Sequence, residues 1–508
     1  MVSPDVVDLS RLQFALTALY HFLFVPLTIG LSALLAIMET VYVMTDRPIW
    51  KQMVKYWGVL FGINMALGVA TGITMEFQFG TNWAYYSHYV GDVFGIPLAI
   101  EGMMAFFLEA TFVGLFFFGW TRLTKVQHWI STCLLALGTN LSALWILVAN
   151  GWMQNPVGAY FDFHTMRMEV KSFYDVLFNP VAQAKFVHTV SAGYVTGSMF
   201  VLSVSAYFLL KNRNVALSKR SMTVAASFGL AAALSVVVLG DESGYVANEN
   251  QKMKLAALEA MWETEPAPAG LTLFGIPNEK EHKVDYSITV PYALGIIATR
   301  SFDTPLLGMD DLIASGRHKV ERGVQAYSAL KVLQKDPTNL AAKQKFEKYG
   351  EHLGYGLLVK RFNQNVEQAT AEDIDKAAHS LKPKVKPLFF SFRIMVACGF
   401  YFIALFSYAF YLATKRQLQT RWFLKVVMYS LPLPWIAAEL GWIVAEYGRQ
   451  PWVVEGILPT FMGVSTLTKP AVLTSLFGFI IFYSILAVIE IYLMAKYIKL
   501  GPDGMEEK

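Results

Sequence analysis

The sequence predicts an all-α polytopic membrane protein of about nine transmembrane helices, with one long extracytoplasmic loop between helices six and seven. Three observations predict it. Of 508 residues, 55% are hydrophobic and only 16% charged, too sparse a charge for a soluble chain of this length. Nine stretches reach the roughly 20 mainly apolar residues that a bilayer core requires. Lys and Arg collect in alternate connections, the pattern that sets orientation.

The spans are read in order. The first runs from about Leu12 to Met44 and the second from Tyr56 to Phe79. Gly95–Trp120, Trp129–Asn150, Phe186–Leu210 and Met222–Gly240 follow. After a long polar stretch come Leu388–Thr414, Trp422–Tyr447 and Ala471–Tyr497. Basic residues mark the first connection (Arg47, Lys51, Lys55), the third (Arg122, Lys125), the fifth (Lys211, Arg213, Lys219, Arg220) and the seventh (Lys415, Arg416, Arg421), and Lys496 and Lys499 close the last helix. Those segments are expected in the cytoplasm. The second connection, Gly80–Gly91, has no Lys or Arg. The N-terminus and the stretch from about Tyr245 to Pro387 are then expected outside. The chain starts acidic with no small-residue cleavage site, so no removable signal peptide is expected.

The net charge of +4 and the lack of a basic run give no reason to expect nucleic acid. Cys133 and Cys398 sit in apolar runs, and no CxxC or CxxCH pattern supports zinc or covalent haem. The 245–387 stretch is the one shift in composition, with turn signals at Pro266, Pro268, Gly270 and Pro277. Between Gly316 and Leu353, Lys, Glu, Ala and Leu read as one or two amphipathic helices. So long a loop points to a binding role. It divides the chain into 1–244, 245–387 and 388–508.

Polar residues within the spans carry the functional reading. GWIVAEYGRQPW closes the eighth helix with Glu446 and Arg449 between Trp442 and Trp452. An acid there needs a metal, a counter-ion or a proton path to hold it, or else it is a solvated helix end at the headgroups. His21, Glu101, His188, Met395 and Glu446 all fall toward the outer leaflet when depth is counted along alternating helices. Each alone reads equally as a packing or hydrogen-bonding residue. Together, His188 and Met395 are a pair able to ligate one haem iron axially, and a lone ligand such as His21 or Glu446 leaves an open position for oxygen. Glu109 lies about two turns from Glu101 on the same face, and Ser142 extends a line of proton-carrying groups inward. Glu39 and Glu439 are further intramembrane acids without an assigned role. Gly240-Asp241-Glu242-Ser243 is expected to end the sixth helix, with Lys252, Lys254 and Glu259 beyond it. A lysine and a carboxylate there suit the two oxygens of a quinol, or form an ordinary charged loop start. A proton-coupled transporter and a scaffold for a catalytic partner are the rival readings.

Several long strings then carry a resemblance: SRLQFALTALYHFLFVPLTIG, TMEFQFGTNWAYYSHYVGD, LSALWILVANGWMQNP, KFVHTV, LGDESGY, FRIMVACGF and AEYGRQPW. Across nearly its whole length the chain resembles subunit 1 of cytochrome bd-type ubiquinol oxidases, in the form with a long quinol loop. The resemblance implies two b-type haems, one low-spin and one high-spin, and one haem d. His188 and Met395 would ligate the low-spin b haem, His21 haem d, and Glu446 the high-spin b haem. Glu101 would stand at haem d, and Glu109 and Ser142 on the proton entry path. Lys254, Glu259 and Arg393 match quinol-oxidation positions. Trp442 would lie on the electron route, and Arg11 and Arg449 would balance propionates. Ubiquinol would be oxidised at the outer face of the bacterial inner membrane, and oxygen reduced to water with cytoplasmic protons. The resulting proton motive force needs no pumping. A second large membrane subunit and a small single-span one are the implied partners.

Overall fold

In the computed structural model, which describes residues 2–506, nine helical spans are long and apolar enough to cross a membrane among those residues. They cover Pro4–Thr45, Pro48–Thr81, Ala84–Phe118, Lys125–Gln154, Phe173–Leu210, Val215–Asn250, Val385–Thr414, Arg421–Tyr447 and Lys469–Leu500. The expected number and order stand.

The local breaks matter more than the spans. The first span is two helices, Pro4–Phe22 and Val25–Thr45. Pro26 brings no N–H for the turn before it, and Leu23 and Phe24 close the first helix with short bonds to the Tyr20 and His21 carbonyls. His21 therefore sits in the last turn of a half-helix, where its ring is aimed at the second span. The third span widens into a π-helix over Glu101–Phe106, and the eighth does the same over Ile443–Tyr447. Both π stretches carry a singled-out acid, Glu101 or Glu446. The fourth span starts at a capping box in which Thr124 accepts from the Gln127 N–H and Gln127 accepts from the Thr124 N–H.

Two expected boundaries are corrected. The sixth helix does not end at Gly240–Ser243 but continues to Asn250. The segment DESGYVANEN is polar yet free of proline, and polarity ends a span, not a helix. Gln251, at φ −139°, makes the real break. The third span begins at Ala84, so the second connection shrinks to a tight turn at Asn82 and Trp83.

The long loop folds. Helix Lys252–Glu259 leads to the antiparallel hairpin β3 (Leu271–Asn278) and β4 (Lys283–Val290), after one smaller hairpin earlier in the chain, β1 (Ala159–Asp162) with β2 (Arg167–Val170). Amphipathic helices Met309–Lys335 and Leu340–Tyr349 appear where the Lys/Glu/Ala/Leu run was. Ala326, Ala329, Leu330, Leu333, Phe346 and Leu353 give the loop its own core. After the eighth span a short hairpin, β5 (Trp452–Val454) and β6 (Leu458–Pro459), inserts between membrane helices and loop, with Trp452 buried in the loop's second cluster.

Candidate functional site

Each histidine expected to bind iron stands opposite a glycine. His21 Nδ1 lies 2.9 Å from Thr71 Oγ1. That hydroxyl is itself placed to donate to the Gly68 carbonyl at 2.9 Å. Its one proton is thus spent, so Nδ1 must donate to it and Nε2 keeps its lone pair. Gly72 makes room for this ring, since a Cβ there would sit 3.1 Å from Cε1. His188 faces Gly240 of the sixth span, and its Nδ1 is buried with no hydrogen-bond partner. Met395 turns its sulfur toward Gly441 of the eighth span, 3.3 Å from where a Cβ would be. The fifth and seventh spans, which carry His188 and Met395, both pack on the sixth and the eighth. Imidazole nitrogens without partners, and a thioether and rings given room by glycines, are donor atoms that would suit a haem iron.

Glu446 is the centre of a polar cluster. Its Oε2 is 2.5 Å from Arg449 Nη2, and its Oε1 accepts from Asn150 Nδ2 and Gln154 Nε2, both at 3.0 Å. Lys185 Nζ is 3.8 Å away and also donates to Asn150 Oδ1. A third of the Glu446 side chain stays accessible, against 6% of Arg449. Nε and Nη1 of Arg449 are buried without partners. Two cations face one carboxylate, and buried guanidinium donors are left over, so the cluster fits a further anionic group such as a propionate. Arg11 is half-exposed and pairs with Asp8 at 3.3 Å. Trp442 packs edge-on against Phe22, the neighbour of His21, at 5.1 Å, while Lys185 lies over its ring at 5.5 Å. It bridges the His21 helix end and the Glu446 cluster.

Ser142 donates to Glu101 Oε1 at 2.7 Å. Glu109 is buried and reaches the same helix one turn further in, where a Cβ on Gly138 would be 2.9 Å from its Cγ. Glu101 and Glu109 thus do share a face, turned to the fourth span, but the serine belongs with the outer acid. Glu39, with no assigned role in the sequence, is fully buried. It lies 2.5 Å from His128 Nδ1 and accepts from Thr132 Oγ1 at 2.5 Å.

The three residues matched to quinol oxidation divide. Arg393 Nη2 pairs with Glu259 Oε2 at 2.9 Å, and the guanidinium also donates to the Leu258 and Thr272 carbonyls at 2.8 and 2.6 Å. Burial raises the Glu259 pKa, opposed by Arg393. Lys254 points elsewhere. Its Nζ donates to Gln154 Oε1 at 2.6 Å and Gln251 Oε1 at 2.8 Å, which ties it to the Glu446 cluster. Burial, reinforced by nearby Lys185, holds the ammonium well below the usual lysine range.

Lys185, Asn150, Gln154, Gln251, Glu455 and Thr71 were missed from sequence. A signal existed for two: Asn150 and Gln154 are carboxamides four apart at the end of an apolar helix, hence on one face. Nothing local marks Glu455 or Thr71.

Residues 9–502 match the family model described as cytochrome bd terminal oxidase subunit I. The chain is 50% identical over 505 residues to cytochrome bd-II ubiquinol oxidase subunit 1 of Escherichia coli K12, covering 99% of this chain and 98% of the relative. It is 37% identical to cytochrome bd ubiquinol oxidase subunit 1 of Bacillus subtilis 168 over 97% of this chain and 94% of that one. Among solved structures, the bd oxidase from Geobacillus thermodenitrificans superposes with a TM-score of 0.80 at 24% identity, covering 99% of this chain and all of the other. That likeness speaks for the fold.

Proposed function

The chain belongs to the cytochrome bd terminal oxidase subunit I family, and from that premise we propose that it is the haem-carrying subunit of a quinol:oxygen oxidoreductase in the bacterial inner membrane. Membership sets aside the transporter and scaffold readings. The observation that carries the rest is the set of ligand-type side chains, His21, His188, Met395 and Glu446, each turned to a glycine or to an unsatisfied buried cation.

His188 and Met395 would hold a low-spin b haem, His21 haem d, and Glu446 a high-spin b haem. When bound, these haems supply one-electron transfer and an open iron position for oxygen. The protein's own residues do the rest. Thr71 fixes the His21 tautomer and keeps Nε2 free. Arg449 and Lys185 pair with Glu446 and would leave donors for propionates. Trp442 fills the gap between the His21 and Glu446 sites.

Quinol would bind where the folded loop meets the membrane helices, at Glu259 and Arg393, with Lys254 on the side toward Gln154 and the Glu446 cluster. The buried carboxylate of Glu259, with its raised pKa, is suited to take a proton from a quinol hydroxyl. Glu101, Ser142 and Glu109 would carry protons inward from the cytoplasmic side, an orientation that the Lys and Arg distribution supports. Releasing protons at one face and consuming them from the other would build a proton motive force without a pump. A second large subunit and a small single-span one complete the proposed complex.

The test is a visible spectrum of the purified enzyme beside that of His188→Ala. The substitution is expected to remove the low-spin haem bands and spare the others. An unchanged spectrum defeats the ligand assignment.

A further inference from the structure

Quinol oxidation releases protons, and the loop side of the molecule holds a carboxylate with no role so far. Glu455 lies in the turn between β5 and β6, where Gly456 takes φ +67°. Its backbone N–H is fixed to the Met153 carbonyl at 2.9 Å, at the end of the fourth span. Its Oε2 accepts from Gln251 Nε2 at 3.3 Å. The same amide's oxygen accepts from Lys254 Nζ, so Gln251 bridges Lys254 and Glu455. Gln251 Nε2 also donates to Gln154 Oε1 at 2.8 Å.

The bonding of Lys254 is informative. A neutral amine has two N–H donors and one lone pair. Its two hydrogen bonds end on the amide oxygens of Gln154 and Gln251. Two acceptors match the two donors of the neutral amine, the form whose lone pair accepts a proton. On the other side of Glu455 is the folded loop. The Tyr355 hydroxyl lies 3.7 Å from where a Gly456 Cβ would be, and Lys319 Nζ lies over the Tyr355 ring at 5.3 Å. Lys254, Arg449 and Lys319 are the cations whose fields reach Glu455. Burial pushes its pKa up to about 7, the range in which a group both takes and yields a proton at neutral pH.

We propose that Glu455 is the outer proton acceptor of the quinol site, receiving by way of Lys254 a proton lost by the substrate hydroxyl and passing it toward the loop face beside Tyr355 and Lys319. The step balances. A quinol loses two electrons and two protons to become a quinone. The electrons go to oxygen through the oxidase activity. One proton goes to Glu259, and the other to Lys254 and then to Glu455, whose carboxylate becomes a carboxylic acid. The inference rests on the quinol-site reading above.

The experiment uses purified holoenzyme in detergent, with optical spectra confirming haem content. Steady-state oxidation of a short-chain ubiquinol is measured against pH beside oxidation of tetramethyl-phenylenediamine, which gives up an electron without a proton. Wild type is expected to lose quinol rate as pH falls through about 7, because the acceptor becomes occupied. Glu455→Gln should lower quinol kcat on the order of 10- to 100-fold, flatten that acid limb, and leave diamine oxidation and quinol KM within about twofold. Glu455→Asp should restore the limb. Gln251→Leu, which cuts the bridge and keeps the charge, should also slow quinol selectively. A wild-type rate and pH profile in Glu455→Gln overturns the proposal, and so does equal slowing of both donors, which marks a mere strut. Glu259→Gln and Arg393→Gln separate the levels. If both oxidise quinol normally, the quinol site is misplaced and this inference falls with it. If they are slow while Glu455→Gln is not, only the inference falls.

Discussion

Breaking the Glu259–Arg393 pair should cost more than removing it. The pair is 2.9 Å long, with side chains only 2% and 12% exposed. Arg393→Gln leaves Glu259 as a buried carboxylate without its cation, a change worth about 3–5 kcal/mol. Glu259→Gln should cost less, because the Leu258 and Thr272 carbonyls still hold the guanidinium. With both replaced, two neutral amides face each other and no buried charge remains. The double variant should therefore be no less stable than Arg393→Gln alone, a coupling of about 3 kcal/mol. The pH dependence has a definite sign. Burial already raises the Glu259 pKa in the folded protein. A carboxyl raised above its unfolded value favours the folded state most below the unfolded pKa, and that advantage is lost as pH rises through the folded one. Without Arg393 the pKa climbs further, so the Arg393→Gln deficit should be larger at about pH 8 than at about pH 5. Thermal midpoints followed by tryptophan fluorescence in detergent, across the four variants and two pH values, give the answer. Simple additivity of the two single losses would falsify the reasoning, as would a deficit independent of pH.

Thr71→Val should leave His21 free to take the other tautomer and lower haem occupancy there by roughly 10- to 100-fold, with Thr71→Ser restoring it, both read from haem spectra of purified protein. Gly441→Val should push the Met395 side chain aside and disturb the low-spin bands while quinol KM stays put, and an unshifted spectrum would remove Met395 from that haem. Glu446→Ala leaves Arg449 and Lys185 buried against each other and should lower thermal stability by about 3–5 kcal/mol, whereas Glu446→Gln should lose less. Glu39→Leu strands the His128 ring and should destabilise by about 1–3 kcal/mol without touching haem content, which a melting curve and a spectrum together can check.

How much of this was legible in the sequence differs by kind of residue. The spans follow from hydropathy because a bilayer imposes one length on every crossing helix. The candidate ligands were visible because His and Glu are conspicuous inside apolar runs, although only the resemblance turned them into haem partners. Gln251 was not visible, and Gln154 only through its spacing from Asn150. A carboxamide is unremarkable in composition, and its importance arises from partners 97 residues apart in sequence. Lys254 was grouped with Glu259 by proximity along the chain. Five residues on a helix turn two side chains to different faces, and the structure sends Lys254 to Gln154 instead. The sixth helix outran its apolar stretch because backbone hydrogen bonds do not stop where the lipid does.

The widened turns at Glu101–Phe106 and Ile443–Tyr447 each hold a spare residue relative to an ordinary helix. That surplus lets Gly441 stay against Met395 while Glu446, only a few positions on, swings round to Asn150 and Gln154. Excising one amino acid from either turn would give a more regular helix, and the chain would still cross the bilayer. Yet every side chain beyond the cut would be rotated by about a quarter-turn or more, and the acid would be aimed at lipid or at a neighbouring helix. Shortening the chain there would thus displace the acid without touching any candidate ligand on the other helices. Regularity and activity pull against each other at these two points.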